Sequence, residues 1–103
     1  MKARYLLLMI LVACSLPGMA SSRSQRARGA LLFSSSGCAH CHSIQGTGGK
    51  KGPDLSGVGR RLNKAEMRNQ IVAGSNRMPP FGDDLQANEV KDLIAYLRSC
   101  RMK

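Results

Sequence analysis

Tryptophan is absent from this chain, and only two phenylalanines and two tyrosines stand among its 103 residues. Beyond residue 20 the aromatics are Phe33, Phe81 and Tyr96. So thin a supply of large apolar side chains supports a core worth only about 3–5 kcal/mol unless a disulfide, a metal or a large cofactor staples it. No apolar run reaches the roughly 20 residues that a membrane-spanning helix needs. No internal repeat is visible, and no strand pattern of any length, which argues against sheet-based folds. Acidic residues are few: 6 Asp and Glu against 16 Lys and Arg, a formal net charge of +10. The length allows one domain.

What is present begins with a leader. Lys2 and Arg4 form a charged start, and Tyr5 to Leu16 is apolar except for Cys14 and Ser15. Pro17-Gly18-Met19-Ala20 supplies the small residues of a signal-peptidase site, so residues 1–20 are expected to be removed after Ala20 on export. Two alternatives stand beside this. Leu11-Val12-Ala13-Cys14 resembles the lipobox of bacterial lipoproteins, in which residues 1–13 are removed and Cys14 carries lipid; or the apolar run stays as an anchor. Beyond residue 20, 14 Lys and Arg face 6 Asp and Glu. That excess suits an acidic partner, an anionic membrane or nucleic acid. The basic residues are too scattered to favour nucleic acid.

Ser21 to Arg28 is Ser- and Arg-rich and is expected to be a flexible arm, with a domain over residues 29–103. A first helix is predicted from Gly29, with Ala30, Leu32 and Phe33 on its apolar side. Gly46–Gly52 holds four glycines and two lysines and predicts a mobile loop. It lacks the Lys-Ser/Thr ending of a phosphate loop. A middle helix is predicted over Lys64–Ala73, opened by an Asn63/Glu66 capping box and stopped at Gly74. Met67, Ile71 and Gln70 would mark its inner face. A Gly/Pro-rich loop over 74–84 surrounds Met78-Pro79-Pro80-Phe81. The last helix is predicted over Ala87–Ser99, with Val90, Leu93, Ile94 and Leu97 in one stripe. Its start is ambiguous, because Gln86 is a poor cap and Asn88 lies further in. Loops this long in so small a helical domain suggest that they wrap something.

Gly37-Cys38-Ala39-His40-Cys41-His42 supplies the chemistry. C-x-x-C-H is the attachment signature of c-type haem. Two thiols add across the two vinyl groups of the porphyrin, and the spacing of two residues lets one turn of chain place both sulfurs. His42 follows as the proximal imidazole ligand; His40 is a spacer expected to point outward. A thiol–disulfide oxidoreductase would need a strand–helix unit around the motif. Zinc would need two more ligands at matching spacing, and the other cysteines are Cys14 in the leader and Cys100 near the C-terminus. A disulfide across two residues would leave His42 unexplained. Cys100 itself reads as either a buried small residue or a free thiol able to link two chains.

Over about residues 26–100 the chain resembles the small monohaem class I cytochromes c of bacteria. The resemblance rests on Gly29-x-x-x-Phe33, Cys-Ala-His-Cys-His, Gly52-Pro53-Asp54-Leu55, Met78-Pro79-Pro80-Phe81 and Asp92-Leu93-Ile94-Ala95-Tyr96-Leu97, in that order. It implies an all-α cytochrome c fold: three main helices and long loops wrapped around one covalently bound haem c. It implies Met78, 36 residues after His42, as the second axial iron ligand, and Pro53 as the carbonyl that receives a hydrogen bond from His42. Met67 is expected to be core. Gly29 and Phe33 would meet the last helix, with Phe33 near Leu93, Ile94 and Tyr96.

The function expected is that of a periplasmic one-electron carrier, not an enzyme, acting as a monomer on redox partners with acidic docking surfaces. Lys50, Lys51, Arg60, Arg61 and Arg77 are the residues expected to form the positive surface. The alternative is a haem-bearing subunit, or a tethered cytochrome, of a larger respiratory oxidoreductase; lipid on Cys14 would favour tethering. A third class, binding of a gas or peroxide at the iron, requires Met78 to dissociate.

Overall fold

The computed structural model describes residues 18–103, with side chains from Ser22 onward. The leader expectation, including Cys14 and the lipobox, falls mainly on residues 1–17, outside the described residues. Four helices dominate: α1 over Gly18–Ser35, the one-turn α2 over Val58–Arg61, α3 over Lys64–Ala73 and α4 over Ala87–Ser99. Between α1 and α2 lie a short 3-10 turn, Cys38–His40, and two strands of two residues each, β1 at Ser43–Ile44 and β2 at Thr47–Gly48.

Two expectations are corrected here. The Ser/Arg-rich stretch 21–28 belongs to a helix, and α1 starts at Gly18, eleven residues before Gly29. Ser, Arg, Gln and Ala all tolerate helix, and this segment needs no apolar stripe because it runs mostly in solvent. It is tied to the body at its inner end, where Arg28 Nε donates to Asp92 Oδ2 at 2.9 Å. The glycine-rich stretch, expected as loop throughout, begins inside an antiparallel hairpin that pairs Ser43 with Gly48 and Ile44 with Thr47. Gln45 and Gly46, at φ 53° and 79°, make the two-residue turn. Positive φ at both central positions matches the twist of the strands. Strands so short carry no alternation that a sequence pattern can reveal.

The middle and last helices fall where the pattern puts them. Asn63 Oδ1 accepts from Glu66 N at 2.8 Å and Glu66 Oε1 accepts from Asn63 N at 3.0 Å, closing the capping box of α3. Gly74 ends that helix at φ 67°. At α4 the cap position is Gln86, whose N–H donates to Glu89 Oε1 at 2.9 Å; the acid three residues on serves where the cap side chain is poor.

The core is small and centred on α4. Val90, Leu93, Ile94 and Leu97 are buried with Phe33 of α1, Val58 of α2, Met67 and Ile71 of α3, and Cys100. Met67 is thus packing, as expected. The Phe33 and Tyr96 rings lie 5.9 Å apart and tilted by 58°. Cys100 is 9% exposed with Sγ 3.5 Å from Tyr96 O, and burial pushes its thiol pKa up. Of its two sequence readings, the buried small residue is the one seen. The tail is clipped back: Gly59 N donates to Cys100 O at 2.8 Å and Met102 N to Ser56 O at 2.9 Å.

The α1–α4 contact has no tolerance at Gly29. A Cβ there would run into Asp92 O and sit 2.6 Å from Tyr96 Cβ. Alanine in a helix interior is worth about 1 kcal/mol over glycine by propensity alone, so the sign of Gly29→Ala separates the two effects. Overpacking costs about 1–3 kcal/mol or more, and Gly29→Ala is expected to lower the melting temperature of the haem-loaded protein by roughly 5–15 °C; an unchanged or raised value would show that the helices do not meet there. Arg28→Ala leaves the Asp92 carboxylate buried without its partner. Because Arg28 itself is 56% exposed, the expected cost is about 1–2 kcal/mol, read from the denaturation midpoint.

Candidate functional site

Helix α1 runs out at Ser35, and Gly37, at φ 87°, turns the chain into the Cys-Ala-His-Cys-His segment. His40 N donates to Gly37 O, Cys41 N to Cys38 O and His42 N to Cys38 O, at 3.1, 3.2 and 2.9 Å. A 3-10 turn has three residues per turn, so residues three apart eclipse one another. Cys38 and Cys41 therefore share a side, and His42 follows them on the same turn. Neither thiol is in a disulfide. Both are half-buried, and desolvation by burial pushes the Cys38 thiol pKa up. His40 is exposed.

A second layer of chain is laced onto this turn by backbone hydrogen bonds. Gly49 N donates to Ala39 O at 2.8 Å, Gly52 N to Cys41 O at 2.7 Å and Leu55 N to Ser43 O at 2.8 Å. The lacing brings Pro53 O to 2.8 Å from His42 Nδ1. A carbonyl only accepts, so Nδ1 carries the proton and Nε2 keeps its lone pair for a ligand role. Gly52 is what lets the loop lie so close: a Cβ at that position would stand 2.7 Å from His42 Cε1 and 2.9 Å from Nδ1. Beyond Pro53, Asp54 Oδ1 accepts from Ser56 N at 2.7 Å, and Arg61 Nη2 donates to Asp54 O at 2.9 Å. Hydrogen bonds from Ser56 hold the Asp54 carboxyl below its ordinary range.

Met78 comes from a separate loop. Phe81 N donates to Ile71 O and Gly82 N to Val72 O, which dock the loop on the end of α3, while Ser75 N donates to Met78 O at 2.8 Å. Gly74 makes room, since a Cβ there would lie 2.8 Å from Pro79 C. The Met78 side chain and Cys38 are both half-buried against the same core. Gln70 Nε2 lies 3.4 Å from Met78 Sδ, a distance for a sulfur-accepted hydrogen bond, and 3.3 Å from Ser75 Oγ. The structure thus brings Cys38, Cys41, His42 and Pro53 together directly, and seats Met78 on its own loop over the common core. Gln70 and Gly52 had no role assigned in the sequence. Gln70 was legible only as a polar residue on an inner face; Gly52 appeared only as the first residue of the Gly52-Pro53-Asp54-Leu55 match and the last of the glycine-rich stretch.

The donors fit a haem. Among the described residues no three His, Cys, Asp or Glu side chains form a group able to hold a bare metal ion. One imidazole, one thioether and a pair of free thiols are instead the set that complements a macrocycle supplying its own four nitrogens. Leu32, Leu55, Leu62, Val72, Phe81 and Leu85 pack on the core while remaining only partly covered. Such surface is what a large apolar cofactor would cover.

The basic residues expected to act together divide into two sets. Lys50, Lys51 and Arg77 are exposed on the loops beside the Cys-His turn and Met78, whereas Arg60 and Arg61 line a cavity with Lys64 and Arg98 among the helices.

Residues 24–97 match the family of the cytochrome c oxidase, cbb3-type, subunit III. The cytochrome bc1 complex cytochrome c subunit of Corynebacterium diphtheriae is 38% identical over 73% of this chain and 27% of its own length. Its counterpart of Corynebacterium efficiens is 36% identical over 62% of this chain and 22% of its own. Cytochrome c-555 of Methylococcus capsulatus is 26% identical over 87% of this chain and 75% of its own. The chain thus spans about a quarter of the length of the two Corynebacterium proteins. No solved structure matches. The expected resemblance holds: the chain belongs to the family of the cytochrome c oxidase, cbb3-type, subunit III, as a monohaem c-type cytochrome whose haem c is covalently bound.

Proposed function

We propose that this cytochrome is a one-electron carrier of the periplasm in which Cys38 and Cys41 hold the haem, His42 and Met78 ligate its iron, and the loops wrap it. The observation that carries this is the turn that sets both thiols on one side and follows them with a histidine whose Nδ1 is already committed to Pro53 O. When bound, the haem supplies an iron that gains and loses one electron. The chain's own residues do the rest. The Pro53 carbonyl keeps His42 in the tautomer that offers Nε2. The loop from Gly74 to Gly82 carries Met78 over the site. With His42 and Met78 both holding the iron, no site would be left to a substrate, which suits a carrier and not a catalyst.

Lys50, Lys51 and Arg77 beside the ligand loops would steer the protein to acidic patches on its donor and acceptor. Charges of this kind change encounter rates more than affinity. Electron transfer to an acidic partner is therefore expected to slow as ionic strength rises, and a rate indifferent to salt would remove steering from the account.

A second reading is a haem-bearing subunit or tethered cytochrome of a larger respiratory oxidoreductase. It is favoured by the Corynebacterium relatives, named as subunits of a cytochrome bc1 complex. No described helix is long and apolar enough to cross a membrane. Native purification separates the two: a free carrier elutes alone as a monomer, a subunit co-elutes with membrane redox proteins. The mass of the mature N-terminus distinguishes cleavage after Ala20 from lipid on Cys14.

Ligation is tested by substitution. Met78→Ala is expected to abolish the sulfur-to-iron charge-transfer band of the ferric protein and to lower the reduction potential by on the order of 100 mV, within the ~0.8 V that axial ligands command. Gln70→Leu keeps the ligand but loses its amide donor; the band should survive at room temperature and vanish at a lower temperature than in the parent. Gly52→Ala pushes His42 from its seat and should cut the yield of haem-loaded protein several-fold. A full yield with an unaltered spectrum would mean that the loop does not hold His42 as described.

A further inference from the structure

A groove of about 850 Å³ runs between α1, α3 and α4, away from every residue assigned to the haem site. Six cations line it: Arg26, Lys64, Arg68, Lys91, Arg98 and Arg101. No carboxylate does. A second cavity of about 620 Å³ adjoins it through Lys64, Ala65 and Arg98 and adds Arg60 and Arg61. Its one acid, Glu66, is engaged with Asn63 in the capping box. Among the described residues the ion pair found is Arg28–Asp92, so none of these eight cations has a carboxylate within 4 Å. Arg61 and Arg101 each donate to one backbone carbonyl, of Asp54 and Gly59.

Like charges are not gathered on one face for stability; their mutual repulsion works against the fold. The sequence positions also rule out accident of a single helix, because the cations come from α1, α2, α3, α4 and the tail. The rest of the lining is part apolar, Ala65, Ile94 and Ala95, and part small or neutral polar, Ser22, Gln25 and Ser99. Cations interleaved with neutral and apolar side chains, and with no acid among them, complement the anionic headgroup layer of a bilayer.

We infer that this helical face docks on an anionic phospholipid bilayer, with lipid phosphates bound among Arg26, Lys64, Arg68, Lys91, Arg98 and Arg101. The chain's own architecture favours a bilayer over an acidic protein as the occupant. Ser22, which lines the groove, stands six residues after Leu16, the end of the apolar run, and eight after Cys14. Even fully extended chain spans no more than about 20–29 Å over those intervals. Any N-terminal tether, lipid or apolar, would therefore deliver this face to the headgroup layer. Lys50, Lys51 and Arg77, with the haem-bearing turn, are not part of the groove and stay available to a redox partner. The inference is independent of which residues ligate the iron.

The test is partition of the full haem-loaded protein between buffer and vesicles, measured as the ratio of binding to vesicles with 30% phosphatidylglycerol over binding to pure phosphatidylcholine. A tether raises binding to both vesicle types, so the ratio isolates the groove. Each basic residue at an anionic surface adds about fivefold. Arg68→Glu with Arg98→Glu is expected to reduce the ratio by on the order of tenfold or more, while Lys50→Glu with Lys51→Glu, the same change in net charge, alters it less than threefold. An unchanged haem absorption spectrum in both double variants shows that they fold. A ratio near one in the parent, or equal losses in both double variants, overturns the inference. So does capture by an acidic protein without preference for phosphatidylglycerol, which would give the face to a protein partner.

Discussion

An imidazole that is to present one particular nitrogen must have the other held, and here a backbone carbonyl does the holding. The Nδ1–H of His42 points at Pro53 O across 2.8 Å, and much of the surrounding chain exists to keep those two atoms apart by that distance and no more. Three backbone hydrogen bonds lace residues 49–55 to residues 39–43. Gly52 gives up a side chain so that the loop can lie against the ring. The hairpin turn at Gln45-Gly46 reverses the chain early enough for the loop to return. Asp54 and Ser56 then fix the exit through an Asx-type turn. Such a contact fixes the orientation of an imidazole, so a loop that looks irregular acts as the support of the His42 ring.

The same economy governs packing. Nine residues make the buried apolar core, and four of them lie on α4. That helix can serve three neighbours only because each meets it through small or well-spaced residues. Gly29 lets α1 come within backbone contact over Asp92 and Tyr96; Met67 and Ile71, four apart, present one side of α3. A core this size gives a marginal domain by itself. A covalently bound haem is a staple of the kind such a domain lacks, and on the reading proposed above it would cover half-exposed apolar side chains and tie the 38–42 turn to a rigid body.

Features that depend on nearest neighbours in sequence were legible without coordinates. The apolar stripe of α4, the capping box of α3 and the stop at Gly74 all follow from periodicity or from a contact three residues long. Cys38, Cys41 and His42 stand out by their spacing, and the structure sets them on one turn. What escaped depends on distant partners. The helical state of residues 21–28 could not be read, since no apolar stripe marks it and its anchor, Asp92, is 64 residues from Arg28. The two-residue strands are defined only by their pairing. Gln70 acquires meaning only when the 74–82 loop folds back and carries Met78 Sδ to its amide.

Charge is where sequence and structure differ most in what they say. Counted along the chain, the Lys and Arg excess is a diffuse property. In space it is sorted by what the acids are doing. Glu66 and Glu89 close the first turns of α3 and α4, Asp54 closes a turn beside Pro53, and the buried Asp92 pairs with the exposed Arg28. Asp83 and Asp84 remain, exposed a few residues beyond Met78. The acids are thus spent on caps, turns and one ion pair, or lie a few residues beyond Met78, and none lines the large helical groove. A molecule so arranged has an electrical direction as well as a net charge. A field of that kind orients a protein before it touches anything: the helical face turns toward the most negative surface available, and the loops that carry His42 and Met78 are left for whatever exchanges the electron.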